Sequence, residues 1–85
     1  MDRYLIETPH TDSECRLLIE QIHAIGYLHY FDWGCKAGVH SGWAIIEAEN
    51  EEIARLAVPS IVRDKARVIR LVKFEIDQDK ELHQR

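Results

Sequence analysis

Two groups of side chains in this sequence could do chemistry. Glu7 and Glu47 lie in separate apolar-rich stretches, RYLIET and GWAIIEA, and Tyr30 lies in a third, LHYFDWGC. Two carboxylates brought together raise one another's proton affinity, and a partly apolar site raises it further, which suits proton transfer or a hard metal ion. Glu47 or Glu7 would serve as base, Tyr30 as hydrogen-bond donor and Trp43 as wall, with Asp32 and Lys73 as further ligand-facing groups. The second group is Asp32, Cys35 and His40, which bracket a turn, with His29 one strand-length earlier and His10 just past the first stretch. Imidazole, thiolate and carboxylate together suit zinc, nickel or copper better than calcium, which makes Cys35 and His40 the metal-ligand candidates. A structural reading competes with each group. The carboxylates could pair with Lys73 and Arg67, Cys35 could be a small buried apolar residue, and His40 a solvated turn residue.

These side chains are positioned by a chain that reads as βαββαβ. Arg3 to Thr8 is a first strand, stopped by Pro9, which lacks an amide donor. Thr11 and Glu14 have the spacing of a capping box, so a helix follows, with Cys15, Leu18, Ile22 and Ile25 on its buried stripe and Gly26 at its end. Leu28 to Cys35 is a second strand, Gly38 the tip of a turn, and Gly42 to Ala48 a third strand, which together make a hairpin. Asn50 caps a second helix whose buried stripe is Ile53, Ala54 and Ala57, and Pro59 breaks or restarts it. Ala66 to Ile76 is a fourth strand. The expected architecture is α+β and ferredoxin-like: a four-stranded antiparallel sheet with two helices on one face, in a single domain over residues 1–76, followed by a polar tail over residues 77–85 that frays.

Side chains alternate along a strand, so one set on each strand faces the helices and the other faces away. Ala44, Ile46 and Ala48 are small enough to sit under a helix, which leaves Trp43, Ile45 and Glu47, Leu5 and Glu7, Tyr30 and Asp32, and Ile69, Leu71 and Lys73 on the open face. For the second strand a bulge would exchange the two sets. A face this apolar predicts a homodimer, since large exposed apolar patches mark interfaces. Right-handed crossovers would put the first and third strands side by side in the centre and parallel, which places Glu7 beside Glu47. If Cys35 pairs near Gly42, Tyr30 lies across the hairpin from Glu47.

Composition narrows the function classes. Eighty-five residues supply one core, and a chain of that length buries only about 60–65% of its unfolded surface, so a large enclosed cavity in a monomer is not expected. No apolar run approaches a membrane span, the first residues lack a signal-peptide pattern, and two cysteines without such a signal are expected as reduced thiols; the expected compartment is the cytoplasm. Glu47, Glu49, Glu51 and Glu52 crowd the middle while Arg63, Lys65, Arg67, Arg70 and Lys73 crowd the later part, and the formal charge of −4 weighs against a general nucleic-acid binder. SGWAIIEA resembles the third strand of an RNA-recognition motif through Gly42, Trp43, Ala44 and Ile46. Ile45 and Leu5 occupy positions where that motif stacks bases, however, Ser41 replaces its basic residue, and Glu7, Asp32 and Glu47 would repel phosphate. No nucleic-acid partner is expected.

FDWGCKAGVHSGWAIIEAENEEIARLAVPSIVRDKARV, and with it nearly all of Arg3 to Phe74, resembles a group of small bacterial ferredoxin-like proteins of unassigned function, related in shape to the dimeric α+β barrels. That superfamily includes muconolactone-isomerase-like enzymes, cofactor-free monooxygenases, haem-degrading oxygenases and small nickel-binding proteins. The resemblance implies a pocket against the open sheet face, lined here by Glu7, Tyr30, Asp32, Trp43 and Glu47. The expected function is a small dimeric domain that binds a small ligand or a metal ion through that face. The alternative is a cofactor-independent isomerase or oxygenase acting on a small aromatic or unsaturated acid.

Overall fold

A computed structural model describes residues 1–76 of the chain; the tail assigned to residues 77–85 lies outside the described residues. The architecture is α+β. Strand β1 (Asp2–Glu7) leads through a 3₁₀ turn, Asp12–Glu14, into helix α1 (Cys15–Ala24). Strands β2 (Phe31–Trp33) and β3 (Gly42–Ala48) form a hairpin, two short helices α2 (Glu51–Arg55) and α3 (Ser60–Arg63) follow, and β4 (Arg67–Leu71) closes the sheet. The strand order is β2-β3-β1-β4 and every neighbouring pair is antiparallel.

The antiparallel pairing of β1 with β3 corrects the expectation of parallel central strands. The crossover through α1 gives β2 the direction of β1, and the hairpin then reverses the chain, so β3 must run against β1 when it slots in beside it. Two boundaries also differ. Leu28–Tyr30 is a 3₁₀ turn rather than strand, closed by the Tyr30 amide on the Tyr27 carbonyl (3.0 Å), and it leaves β2 only three residues long. Strand β4 stops at Leu71 instead of Ile76. Its last partner, Arg3, lies one residue from the start of β1, so β1 offers at most Asp2 opposite Val72 and nothing beyond it.

The core lies on one face of the sheet. Tyr4 and Ile6, Phe31, Ala44, Ile46 and Ala48, and Val68 pack against Leu18 and Ile22 of α1 and against Ala54, Val58 and Val62. The small Ala44 and Ala48 admit the helices, as their alternation with Trp43, Ile45 and Glu47 implies. Ile25 and Ile53, expected in the buried stripes, are exposed: Ile25 sits at the end of α1 with φ −90° and ψ 3°, and Ile53 lies on the outer side of a five-residue helix whose inward side is Ala54. Caps fall where the sequence places them. Glu14 accepts from the Thr11 amide (2.8 Å), Asn50 accepts from the Ile53 amide (2.9 Å), and Gly26 adopts φ 86°. Among the described residues no helix is long and apolar enough to cross a membrane.

Candidate metal centre

The most concentrated chemistry stands at one end of the sheet, beyond the last rung of the β1–β3 ladder. Thr8 continues from β1, donating its amide to the Gly42 carbonyl (2.9 Å), and its buried hydroxyl also bonds the Gly42 backbone. Two residues on, the His10 amide donates to the His40 carbonyl (3.0 Å). The stretch 8–10 therefore runs beside 40–42. On the hairpin side, Trp33 pairs with Gly42 and the Gly34 amide reaches the Ser41 carbonyl (3.0 Å), leaving a loop of which Cys35 is the first residue and His40 the last. The loop folds back through Gly38, whose φ of 86° suits glycine, and through the Val39 amide on the Gly34 carbonyl (3.0 Å). Cys15 arrives from the other direction as the first residue of α1, held there by the capped turn that precedes it.

These connections bring His10, Cys15, Cys35 and His40 together, with one donor atom from each lying within 4.8 Å of the others. The two thiol sulfurs are 3.1 Å apart, and Cys35 Sγ is 3.4 Å from His10 Nε2. Tetrahedral zinc with two thiolates and two imidazoles sets its donors about 3.3–3.8 Å from one another, so closing on an ion needs shifts of about 1 Å or less. The imidazoles are prepared for this. His10 Nδ1 lies 2.8 Å from the Thr8 carbonyl, which can only accept; Nδ1 therefore carries the proton and Nε2 offers its lone pair toward the sulfurs. His40 has a buried Nδ1 with no hydrogen-bond partner among the described residues, and its Nε2 stands 3.7 Å from Asp12 Oδ1. A buried imidazole nitrogen without a partner is costly unless something occupies its lone pair, and a carboxylate behind a histidine is a usual outer support of a metal ligand.

With protons in place of a cation the sulfurs hold each other back. The hydrogen bond to Cys35, then burial, push the Cys15 thiol up from its ordinary 9.0 to about 11. A divalent cation reverses that balance, since a coordinated thiol is deprotonated outright. Glu14, one residue before Cys15, is shifted the other way: the Thr11 amide and then Lys65, 3.1 Å away, hold its carboxyl below the ordinary range.

Cys35 and His40, the metal candidates of the sequence, thus meet. They do so with His10 and Cys15, while Asp32 and His29 contribute no donor to the cluster. Cys15 fits the buried stripe of α1 as well as a ligand set; the signal that could have found it is a mirrored spacing, H-x4-C over His10–Cys15 and C-x4-H over Cys35–His40. The cluster does not lie on the open face.

The acid–base candidates are only partly assembled. Glu7 pairs in register with Trp43, and Glu47 with Arg3, so the two carboxylates stand four residues apart along the ladder, about 13 Å, rather than side by side. Antiparallel pairing is the cause. Glu7 instead accepts from Trp43 Nε1 (3.0 Å) and from Arg67 (3.4 Å). The hairpin register is shifted by two residues from the expected one, Phe31 pairing with Ala44, which places Tyr30 just before the ladder. Tyr30, Asp32 and Trp43 do share a shallow cleft of about 310 Å³ with Leu5 and Ile45, and Tyr30 and Glu47 border a second hollow of about 360 Å³. Lys73 is exposed beyond the end of β4. No protein-family model, curated protein or solved structure matches the chain.

Proposed function

We propose that this chain is a zinc-binding domain, with His10, Cys15, Cys35 and His40 as a closed tetrahedral ligand set. The observation that carries the reading is the convergence of these four donors within 4.8 Å, with the spare nitrogen of His10 occupied by the Thr8 carbonyl and Nδ1 of His40 without a partner among the described residues. Two thiolates and two imidazoles in a compact group select zinc over magnesium, calcium or manganese, and four protein ligands leave no open position for a bound water. The ion's role in this reading is to hold the fold and to present its surfaces, not to activate a nucleophile. The split βαββαβ connection with order β2-β3-β1-β4 supports a ferredoxin-like classification. The exposed row of Tyr30, Ile45 and Ile69 supports a second copy or a small ligand on the open face.

Chain purified without a chelator or a metal-affinity column is expected to carry one zinc per chain in native mass spectrometry. Its cobalt(II) form is expected to show the visible absorption of a tetrahedral site with thiolate-to-metal charge transfer, and Cys35→Ser should roughly halve that charge-transfer intensity, one thiolate remaining. Metal-free chain that takes up no zinc, or a Cys35→Ser chain with unchanged zinc affinity, would reject the ligand set.

A further inference from the structure

The two thiols also face a cleft that zinc binding does not use. A hollow of about 510 Å³ runs beside the cluster, with Ile19, Phe31 and Trp33 as its apolar lining, Asp32 and Lys36 as its two charged groups, and Cys15 and Cys35 both bordering it. Phe31 and Trp33 stack there with ring centres 5.6 Å apart. Both cysteines are half-buried, so they can be reached, but through an apolar approach. Their sulfurs are already 3.1 Å from each other.

Resting on the zinc reading above, we propose that Cys15 and Cys35 form an oxidation site for apolar organic hydroperoxides, closing to a disulfide that expels the zinc. The first thiolate attacks the outer peroxide oxygen, the O–O bond breaks, and the alcohol leaves after taking a proton; the sulfur is now a sulfenic acid. The second thiolate attacks that sulfur, an S–S bond forms, and the hydroxide leaves as water with a second proton. In sum, two zinc-bound thiolates, one hydroperoxide and two protons give one disulfide, one alcohol, one water and a free zinc ion. Closing the bond brings the sulfurs to about 2 Å, from 3.1 Å without the ion or from about 3.8 Å across a tetrahedral zinc. A disulfide offers no thiolate, and the two histidines that remain are too few to retain the ion. The cleft selects the oxidant: a hydroperoxide with an apolar body can bury it against Ile19, Phe31 and Trp33, whereas hydrogen peroxide has none to bury.

The test uses the wild-type zinc-loaded chain and one equivalent of cumene hydroperoxide, with zinc release followed by a chromophoric indicator and the product by intact mass and peptide mapping. Expected is zinc release in step with a loss of two hydrogen atoms from the chain, a Cys15–Cys35 crosslinked peptide, and recovery of zinc binding after dithiothreitol. Normalised to the rate of each oxidant with free cysteine, cumene hydroperoxide should act about tenfold faster than hydrogen peroxide, the equivalent of burying roughly two methylenes. Zinc that stays bound, oxygen adducts without the crosslink, or equal normalised rates would each overturn this inference while leaving the zinc reading intact. A chain without zinc before oxidant is added would overturn both.

Discussion

At the residue scale, the cluster is defined by which proton each donor gives up. His10 has its tautomer fixed by the Thr8 carbonyl and offers Nε2 as it stands, and His40 has a buried Nδ1 without a partner among the described residues, which is therefore available as a donor. The thiols differ, because in the metal-free chain Cys15 holds its proton up to about 11. The sign of the resulting pH dependence is fixed by linkage. A folded-state value raised above the unfolded 9.0 means that the folded chain binds this proton more tightly, so its contribution is complete below pH 9 and is lost as pH rises toward 11. Metal-free chain should therefore lose thermal stability across that window, and zinc-loaded chain, in which the thiolate is already formed, should not. Melting curves at intervals from pH 8 to pH 11, with and without zinc, make the comparison; parallel curves would mean that Cys15 is not held in this way.

At the scale of elements, the centre depends on a hairpin loop that closes tightly between Gly34 and Ser41. Gly34 has an ordinary φ of −97°, so its role is steric: a Cβ there would meet the Val39 carbonyl oxygen at 2.8 Å and the Trp43 ring at 3.0 Å. Gly34→Ala should cost about 1–3 kcal/mol as an overpacked site and should also weaken zinc affinity, because Cys35 follows directly. Gly26→Ala is the control. Its position has φ 86° but nothing within 4 Å among the described residues, so melting curves should find a less stable chain and isothermal titration an unchanged zinc affinity. Elements with a strong period were legible in the sequence: β3 spans Gly42–Ala48 as read, with Ala44, Ile46 and Ala48 inward, and the cap at Asn50 is where the acidic start predicts it. The site was half legible. Cys35 and His40 sit close in sequence and announce themselves, whereas Cys15 fits a helical stripe as well as a ligand set, and His10 joins only because β1 runs against β3. A strand's direction is a property of the whole path, which local patterns do not carry.

At the scale of the whole molecule, the proposed ion ties the start of α1 and the end of β1 to the hairpin, joining residues 20 and 25 positions apart in the chain. A chain of 85 residues has one modest core, and such domains commonly depend on a staple. At free zinc a thousandfold above the Kd the stabilisation is about 4 kcal/mol, and for a domain of this length that amounts to roughly 15–30 °C in Tm. Calorimetry before and after removal of zinc with a strong chelator measures it; a Tm unchanged by chelation would separate the metal from the fold. The weak point in its absence is β2, an outer strand of three residues that meets the sheet through three register pairs and is followed two residues later by Cys35. A clamp placed there does more than add stability. Once β2 detaches, the long β3 presents a row of unpaired amides and carbonyls beside Trp43 and Ile45, a template onto which another chain can add as a strand. A zinc ion bound at this corner would therefore also keep the edge of β3 covered, and chain stripped of zinc is expected to add strands at that edge where zinc-loaded chain does not.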